Sequence, residues 1–141
     1  MITQNTALFT IFGATGDLAH RKLYPSLFRL YKKGFIKDNF AVIGTARRDW
    51  TDEYFREVVL DSIKDLTEDK EDALSFAAHF YYIAHNVNDS EQYIKLKVLS
   101  ESLDAKYSLS GNRIFYLAMS PEFFGIIADN LKEEKLITAD G

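Results

Sequence analysis

The chain has 141 residues but no cysteine, only three histidines and only two prolines. Without thiols it has neither a disulfide framework nor a thiolate metal site, and the scattered His20, His79 and His85 supply no replacement, so no metal is expected. There is also no Pro/Gly-rich linker and no internal repeat to mark a boundary within the chain. The sequence therefore predicts one domain over residues 1–141.

Long apolar runs and an excess of one charge are absent as well. No segment approaches the roughly 20 apolar residues of a membrane span, and residues 1–6 lack the basic start of a signal peptide. Seventeen basic residues stand against 21 acidic ones, for a net charge of -4. This balance argues against nucleic-acid or membrane-surface partners. We expect a cytoplasmic protein in which any positive site is local.

What is present is an apolar core and an alternating pattern. The composition is 47% hydrophobic, with 11 Phe and 8 Tyr, which is ample for a packed core. Four short apolar runs predict strands, at 7–12, 40–43, 80–84 and 114–118, and helices are expected near 24–33, 52–65, 71–78, 90–107 and 121–135. Right-handed crossovers between such strands predict an α/β, Rossmann-like, doubly wound and mainly parallel sheet flanked by helices.

A glycine turn follows the first predicted strand. It consists of Gly13, Ala14, Thr15, Gly16, Asp17 and Leu18. Glycines at this place let the backbone approach a pyrophosphate, which the N–H groups at the helix start attract. Thr15 adds a hydroxyl donor, and Asp17 is expected to turn away and bond main-chain N–H groups. The Gly-x-x-Gly spacing is weak by itself, and a merely compact turn capped by Asp17 is the alternative.

Two arginines, Arg47 and Arg48, follow the end of the second strand. Enzymes that use NAD carry an acidic residue there for the ribose 2′-OH, whereas a 2′-phosphate favours arginine. We expect Arg47 to contact that phosphate and Arg48 to stack on the adenine or assist. The alternative is a solvated surface pair. The pattern predicts NADP as the coenzyme, with weaker binding of NAD.

Three segments together resemble one enzyme family. Residues 12–25, Phe-Gly-Ala-Thr-Gly-Asp-Leu-Ala-His-Arg-Lys-Leu-Tyr-Pro, resemble the glycine-turn segment of glucose-6-phosphate dehydrogenases. Residues 44–47 resemble the family's coenzyme-selecting segment, and residues 112–121 its fourth strand and the following helix start. The resemblance implies the N-terminal coenzyme-binding domain of an NADP-dependent oxidoreductase. Such enzymes oxidise glucose 6-phosphate to 6-phosphogluconolactone in the pentose phosphate pathway.

The resemblance also implies roles for single residues. It places Gly13, Thr15, Gly16, Asp17, Leu18 and Arg47 in the coenzyme site, with His85, Asn86 and Val87 as weaker contributors. Asn86 stands where an aspartate is frequent. Lys22 is implied to help hold the sugar phosphate, aimed into the cleft by a helix break before Pro25; a solvated helix lysine is the alternative. The intact enzyme is implied to be a homo-oligomer.

The chain also departs from the family. The Glu-Lys-Pro-x-Gly strand, the Arg-Ile-Asp-His-Tyr-Leu-Gly-Lys-Glu motif with the catalytic histidine, and the large second domain have no counterpart in it. None of the three histidines has a recognisable aspartate partner that would make it the base. We therefore expect a fragment without catalytic residues, inactive alone. In the intact enzyme the histidine takes the C1 hydroxyl proton, and C1 passes hydride to NADP.

Two other interpretations remain open. An extended short-chain dehydrogenase or epimerase would need Tyr-x-x-x-Lys; Tyr93 and Lys97 have that spacing, but in a helix too early in the fold, where we expect a helix-surface pair. A free-standing dinucleotide-binding module that senses NADPH would also lack the catalytic motifs. A reading frame that continues into the missing motifs would favour the dehydrogenase.

Overall fold

The computed structural model describes residues 6–36, 38–109 and 111–133. Four strands form one parallel sheet in the order β3-β2-β1-β4, namely β1 (Ala7–Phe12), β2 (Phe40–Ala46), β3 (Phe80–Ala84) and β4 (Arg113–Leu117). Five helices join or follow them: α1 (Tyr24–Lys32), α2 (Asp52–Ile63), α3 (Lys70–Ala77), α4 (Gln92–Tyr107) and α5 (Phe124–Glu133). The predicted α/β class with a parallel sheet is confirmed. None of the helices within these ranges has the length and apolar character needed to cross a membrane.

The register aligns the carboxyl ends of the strands along one edge. Phe12, the last residue of β1, pairs with Thr45 of β2 and Leu117 of β4. Ala46, the last residue of β2, pairs with Ala84 of β3. The segments that carry most of the candidate residues therefore begin side by side, along this edge.

Side chains of β1 alternate between two cores, which is why all six of its residues are buried. Phe9 and Ile11 face the core that β1 shares with α1, α2 and α3. Leu8 and Phe12 face a second core, shared with α4 and α5. Helices thus cover both faces of the sheet, and the sheet is doubly wound as predicted.

Some element bounds differ from the prediction. Strand β2 extends past the apolar run at 40–43 and ends at Ala46, one residue after the expected end at Thr45, because Thr45 pairs with Phe12 and Ala46 with Ala84. Gly44 lets β2 pack closely on α2; a Cβ there would be 2.4 Å from Cζ of Phe55. Helix α4 begins at Gln92, after a turn in which Asp89 accepts a hydrogen bond from the N–H of Glu91. A short 3₁₀ turn (Pro121–Phe123) precedes α5. The end of the helix predicted at 121–135 lies outside the described residues.

A wide π-helical turn (Ala19–Leu23) leads directly into α1, at the place where a break was expected. Pro25 lies in the first turn of α1, and a proline ring both lacks an N–H and crowds the carbonyl four residues earlier, which a wider turn relieves. The neighbouring Tyr24 is fully buried, and its hydroxyl donates to the carbonyl oxygen of Ala14 at 2.6 Å. This bond fastens the glycine turn to the core beneath it.

The glycine turn is tightly constrained at Gly13, which generates a stability prediction. Gly13 has φ +87°, and an added Cβ would lie 2.4 Å from the carbonyl oxygen of Ala118; Gly34 has a similar φ of +83° but open space around it. Gly34→Ala should lower the free energy of unfolding by about 1–2 kcal/mol, which is the strain of a side chain in the left-handed region. Gly13→Ala should lower it by about 1–3 kcal/mol more, because the main chain after β4 must move away from the new Cβ. Urea unfolding of both variants measures the difference, and equal losses would contradict the close contact.

Candidate functional site

A cleft opens at the carboxyl edge of the sheet, with a volume of about 310 Å³. Its lining comes from the ends of all four strands and the segments after them: Gly13, Thr15, Thr45, Ala46, Arg47, Arg48, His85, Val87, Met119 and Phe123. The chain leaves β1 toward one face of the sheet and β4 toward the other. In open parallel sheets such a switch point is where ligands bind.

The glycine turn forms one wall of the cleft. The N–H groups of Gly13 and Ala14 both donate to the carbonyl oxygen of Thr45, at 2.9 and 3.2 Å. The N–H groups of Thr15, Asp17 and Leu18 have no acceptor within the part of the chain that the structure describes. Unpaired donors at a helix start attract an anion. The turn is therefore held from one side and leaves donors on the other.

Asp17 behaves differently from the prediction. Its carboxylate accepts a hydrogen bond from Nε of Arg21 at 2.6 Å, and both side chains are exposed. The expectation that it bonds main-chain N–H groups is wrong, because an arginine one helical turn away competes successfully for the carboxylate. The pairing offsets the negative charge of Asp17 beside the turn.

The two predicted arginines lie at the rim of the cleft. Both Arg47 and Arg48 are exposed, and neither takes part in any ion pair found within the described residues. The hydroxyl of Tyr82 lies 2.5 Å from the carbonyl oxygen of Arg48 and 3.2 Å from that of Ala46, which fixes the main chain of the segment. Burial raises the pKa of Tyr82 to about 12, so this hydroxyl keeps its proton. The guanidinium groups remain available to a ligand.

His85, expected only as a weaker contributor, lines the cleft. It is 2% exposed, and neither ring nitrogen has a hydrogen-bond partner among the described residues. Its ring meets that of Tyr93 edge to face, with centroids 4.3 Å apart. Burial lowers the pKa of His85 to about 4, against the opposing influence of the Asp89 carboxylate. A neutral imidazole thus offers one donor and one acceptor with nothing to bond.

A second hollow adjoins the cleft on the β3 side. This side hollow is lined by Arg47, Ala84, His85, Asn86, Gln92 and Lys95, and its volume is about 510 Å³. Asn86 accepts a hydrogen bond from the N–H of Asn88 at 3.0 Å, while its own N–H donates to Oε1 of Gln92 at 2.7 Å. Val87 lines the main cleft. Asn86 and Val87 therefore lie on two adjoining recesses, with His85 and Arg47 common to both.

Lys22 lies elsewhere. It is exposed on the π-helical turn and lines a separate surface hollow with His20, Arg21, Asp61, Ser62, Lys64 and Asp65. Within that hollow Nε2 of His20 lies 3.0 Å from a carboxylate oxygen of Asp61. The expectation that no histidine has an aspartate partner is wrong for His20, because α2 brings Asp61 beside it from 41 residues away. This exposed pair does not line the main cleft.

Tyr93 and Lys97 do not form the surface pair that their spacing suggested. Tyr93 is fully buried, and its hydroxyl donates to the carbonyl oxygen of Val87 at 2.9 Å. A tyrosine committed to this bond has no access to a substrate. The arrangement removes the main support for a short-chain dehydrogenase.

Sequence reasoning missed several residues of the cleft. Met119 and Phe123 line the cleft and were not expected there. Tyr82, which does not line the cleft but bonds the carbonyl oxygen of Arg48, was not expected to support it. The sequence signal that could have indicated Met119 is its position just after the carboxyl end of a predicted strand.

Comparison with known proteins gives a consistent result. Residues 10–141 match the family model described as "Glucose-6-phosphate dehydrogenase, NAD binding domain". Proteins named glucose-6-phosphate 1-dehydrogenase are 56% identical over 134 residues in Streptococcus pneumoniae, covering 95% of this chain and 27% of that protein, and 49% identical over 141 residues in Leuconostoc mesenteroides, covering 100% and 29%. The chain thus spans less than a third of the length of these relatives.

Solved structures show the same likeness. A glucose-6-phosphate dehydrogenase in complex with its substrate glucose-6-phosphate superposes with a TM-score of 0.85 at 34% identity, covering 100% of this chain and 30% of the other. The enzyme from Mycobacterium avium gives a TM-score of 0.77 at 27% identity, covering 96% and 28%. The fold of the chain is that of the corresponding part of these enzymes.

The buried, neutral His85 predicts a pH dependence of stability. The unfolded chain takes a proton at this ring below its ordinary pKa of 6.5, whereas the folded chain takes one only near 4. Between these two pKa values the unfolded state binds more protons than the folded state, so the protein becomes less stable as the pH is lowered. From about pH 7 to pH 5 the titration of His85 should lower the free energy of unfolding of the wild type by on the order of 2 kcal/mol.

His85→Phe keeps an aromatic ring against Tyr93 but has no group that titrates at this position. Its free energy of unfolding should therefore decrease between pH 7 and pH 5 by about 2 kcal/mol less than that of the wild type. Denaturant unfolding at the two pH values measures both proteins. His79 also has a pKa lowered by burial, so His79→Phe serves as the comparison for a second histidine. Parallel pH profiles for the wild type and His85→Phe would contradict the assignment.

Proposed function

This chain belongs to the glucose-6-phosphate dehydrogenase family through its NAD-binding domain, and we propose that it binds NADP in preference to NAD. A nicotinamide dinucleotide is the coenzyme that the family domain implies. One observation supports the choice between the two: Arg47 and Arg48 leave β2 at the rim of the cleft with no acidic partner among the described residues. A 2′-phosphate needs such cations, whereas a 2′-hydroxyl needs an acceptor.

The pyrophosphate of the coenzyme would lie over the glycine turn. The N–H groups of Thr15, Asp17 and Leu18 are directed by the start of the helix, and the hydroxyl of Thr15 adds a further donor. The absence of a side chain at Gly13 and Gly16 keeps the approach to the backbone open. Hydrogen bonds to a charged oxygen are among the stronger ones in proteins. The turn is suited to bind the two phosphates that NAD and NADP share.

The positions of the two arginines support a different proposed task for each. Arg47 lines both the main cleft and the side hollow, whereas Arg48 lines the main cleft. Arg47 is thus the residue that a 2′-phosphate would meet where the two recesses join. Arg48 would stack on the adenine or assist from the side.

The activity of the whole enzyme is part of the proposal. This chain would bind the coenzyme, and the bound coenzyme would accept the hydride that leaves C1 of glucose 6-phosphate. In the described part of the chain no histidine is placed as the base, because His85 is buried with a low pKa, His79 bonds Phe40 and His20 lies outside the cleft. We propose that the base belongs to another part of the enzyme. We also propose that Lys22 of this chain contributes to binding the sugar phosphate in the intact enzyme, and that the intact enzyme is a homo-oligomer.

Removal of the Arg47 guanidinium should selectively weaken the binding of NADP. Loss of a charge-assisted phosphate contact costs about 1.5–3 kcal/mol of binding free energy. Arg47→Ala should therefore lower the affinity for NADP by roughly 10- to 150-fold and leave the affinity for NAD nearly unchanged. Calorimetric titration of both coenzymes measures this. Arg29→Ala is the matched control, because it removes the same charge from an exposed position on α1. Equal weakening of NADP and NAD by Arg47→Ala would refute the assignment.

A second expectation concerns turnover. Because the described residues offer no base at the cleft, the 141-residue chain should show no oxidation of glucose 6-phosphate when NADP is present. Formation of NADPH, followed by its absorbance, is the measurement, with the Leuconostoc mesenteroides enzyme as a positive control. Turnover that persists in a pure sample and disappears in a variant of the cleft would show that this chain carries its own base.

A further inference from the structure

We propose that the side hollow is part of the coenzyme site and that Lys95 is a second cation for the adenosine 2′-phosphate. Lys95 lies on α4 and lines the hollow together with Arg47. The two residues come from different elements, 48 positions apart in sequence, so neither the glycine turn nor the arginine pair points to Lys95. The inference rests on the proposed binding of NADP and names a further residue that determines its selectivity.

The two cations of the side hollow are available, while its glutamine and the nearby carboxylate are engaged. Neither Arg47 nor Lys95 forms an ion pair with any of the described residues. By contrast, Gln92 accepts from the N–H of Asn86 at 2.7 Å. Asp89, the nearby carboxylate, accepts from the N–H of Glu91 and from the side-chain amide of Gln92, both at 3.1 Å. A ligand entering the hollow would therefore meet two positive groups, with the acidic one directed to the start of α4.

An independent feature also indicates a ligand at this place. His85 is 2% exposed, lines the hollow as well as the main cleft, and has two unpartnered ring nitrogens in the described structure. Buried polar atoms without partners are rare in folded proteins. A bound nucleotide would supply a donor or acceptor to this ring. The hollow therefore combines a place for an anion with an unsatisfied polar group beside it.

The position also fits the arrangement of the coenzyme. The pyrophosphate lies over the start of the first helix in this fold, and the adenosine extends from there across the end of β2. The end of β2 carries Arg47, and the next strand end in that direction is Ala84 of β3, which lines the side hollow. A 2′-phosphate near Arg47 would thus lie between β2 and α4. Lys95 is the lysine that α4 presents to that space.

The experiment uses the adenosine half of the coenzyme, so that binding does not depend on the nicotinamide half. The probes are adenosine 2′,5′-bisphosphate and 5′-AMP, titrated by calorimetry into the 141-residue chain and into Lys95→Gln. Lys97→Gln is the matched control, because it removes the same charge from the same helix outside the hollow. Thermal unfolding of each variant verifies that it is folded, and Arg47→Ala is titrated alongside.

We expect Lys95→Gln to lower the affinity for the bisphosphate about five- to tenfold and to change the affinity for 5′-AMP by less than about twofold. Lys97→Gln should leave both affinities unchanged. Equal effects of Lys95→Gln and Lys97→Gln, or equal weakening of both probes by Lys95→Gln, would overturn the role of Lys95. If Arg47→Ala still lost the bisphosphate selectively in that case, the proposed preference for NADP would stand without Lys95. No preference of the wild type for the bisphosphate over 5′-AMP would overturn both.

Discussion

The carbonyl oxygen of Thr45 accepts hydrogen bonds from Gly13 and Ala14, and the geometry of the cleft depends on this junction. It ties the turn after β1 to the last residues of β2, two positions before Arg47. From the other side the hydroxyl of Tyr24 bonds the carbonyl oxygen of Ala14. The main-chain donors of the glycine turn and the segment that carries Arg47 are thus held to the same pair of strands. Two main-chain bonds to Thr45 and the bond from the buried Tyr24 hydroxyl set the spacing between the turn and this segment.

Unsatisfied polar groups gather where this junction opens. Four buried side-chain atoms lack partners in the described structure, on Thr10, Thr45 and His85, and three of the four belong to residues that line the cleft. An unbonded buried polar atom costs stability. Concentrating that cost at one edge of the sheet is consistent with a polar ligand that pairs with these atoms when it binds. The same burial that costs stability keeps His85 neutral and therefore able both to donate and to accept a hydrogen bond.

The sequence predicted the fold well because its signals are local and repeated. The buried run of β1 and the glycine turn after it define a strand and a helix start, and the resemblance extends over the chain. Features that depend on competition among partners or on tertiary packing were not predicted. Asp17 pairs with Arg21, one helical turn away, where main-chain N–H groups were expected as its partners. Asp61 reaches His20 from α2, 41 residues away, and Tyr93 turns inward where a helix-surface position was expected. The spacing offers the pair of Asp17 and Arg21 as one choice among several, and it gives no sign of the other two.

The net charge of the chain is -4, so the proposed binding of an anionic coenzyme depends on how the charges are distributed. Four Lys or Arg side chains of the described chain pair with acidic groups: Arg21 with Asp17, Lys32 with Asp72, Lys64 with Asp61 and Arg113 with Asp104. Arg47 and Arg48 are not among them, so their guanidinium groups are left for a ligand. Fields of exposed charges are screened within about 10 Å at ordinary ionic strength, so the acidic surface farther away has little influence. The proposed selectivity for a phosphorylated ligand would therefore depend on the few residues at the end of β2 and across from it, and the overall charge of the chain would not oppose it.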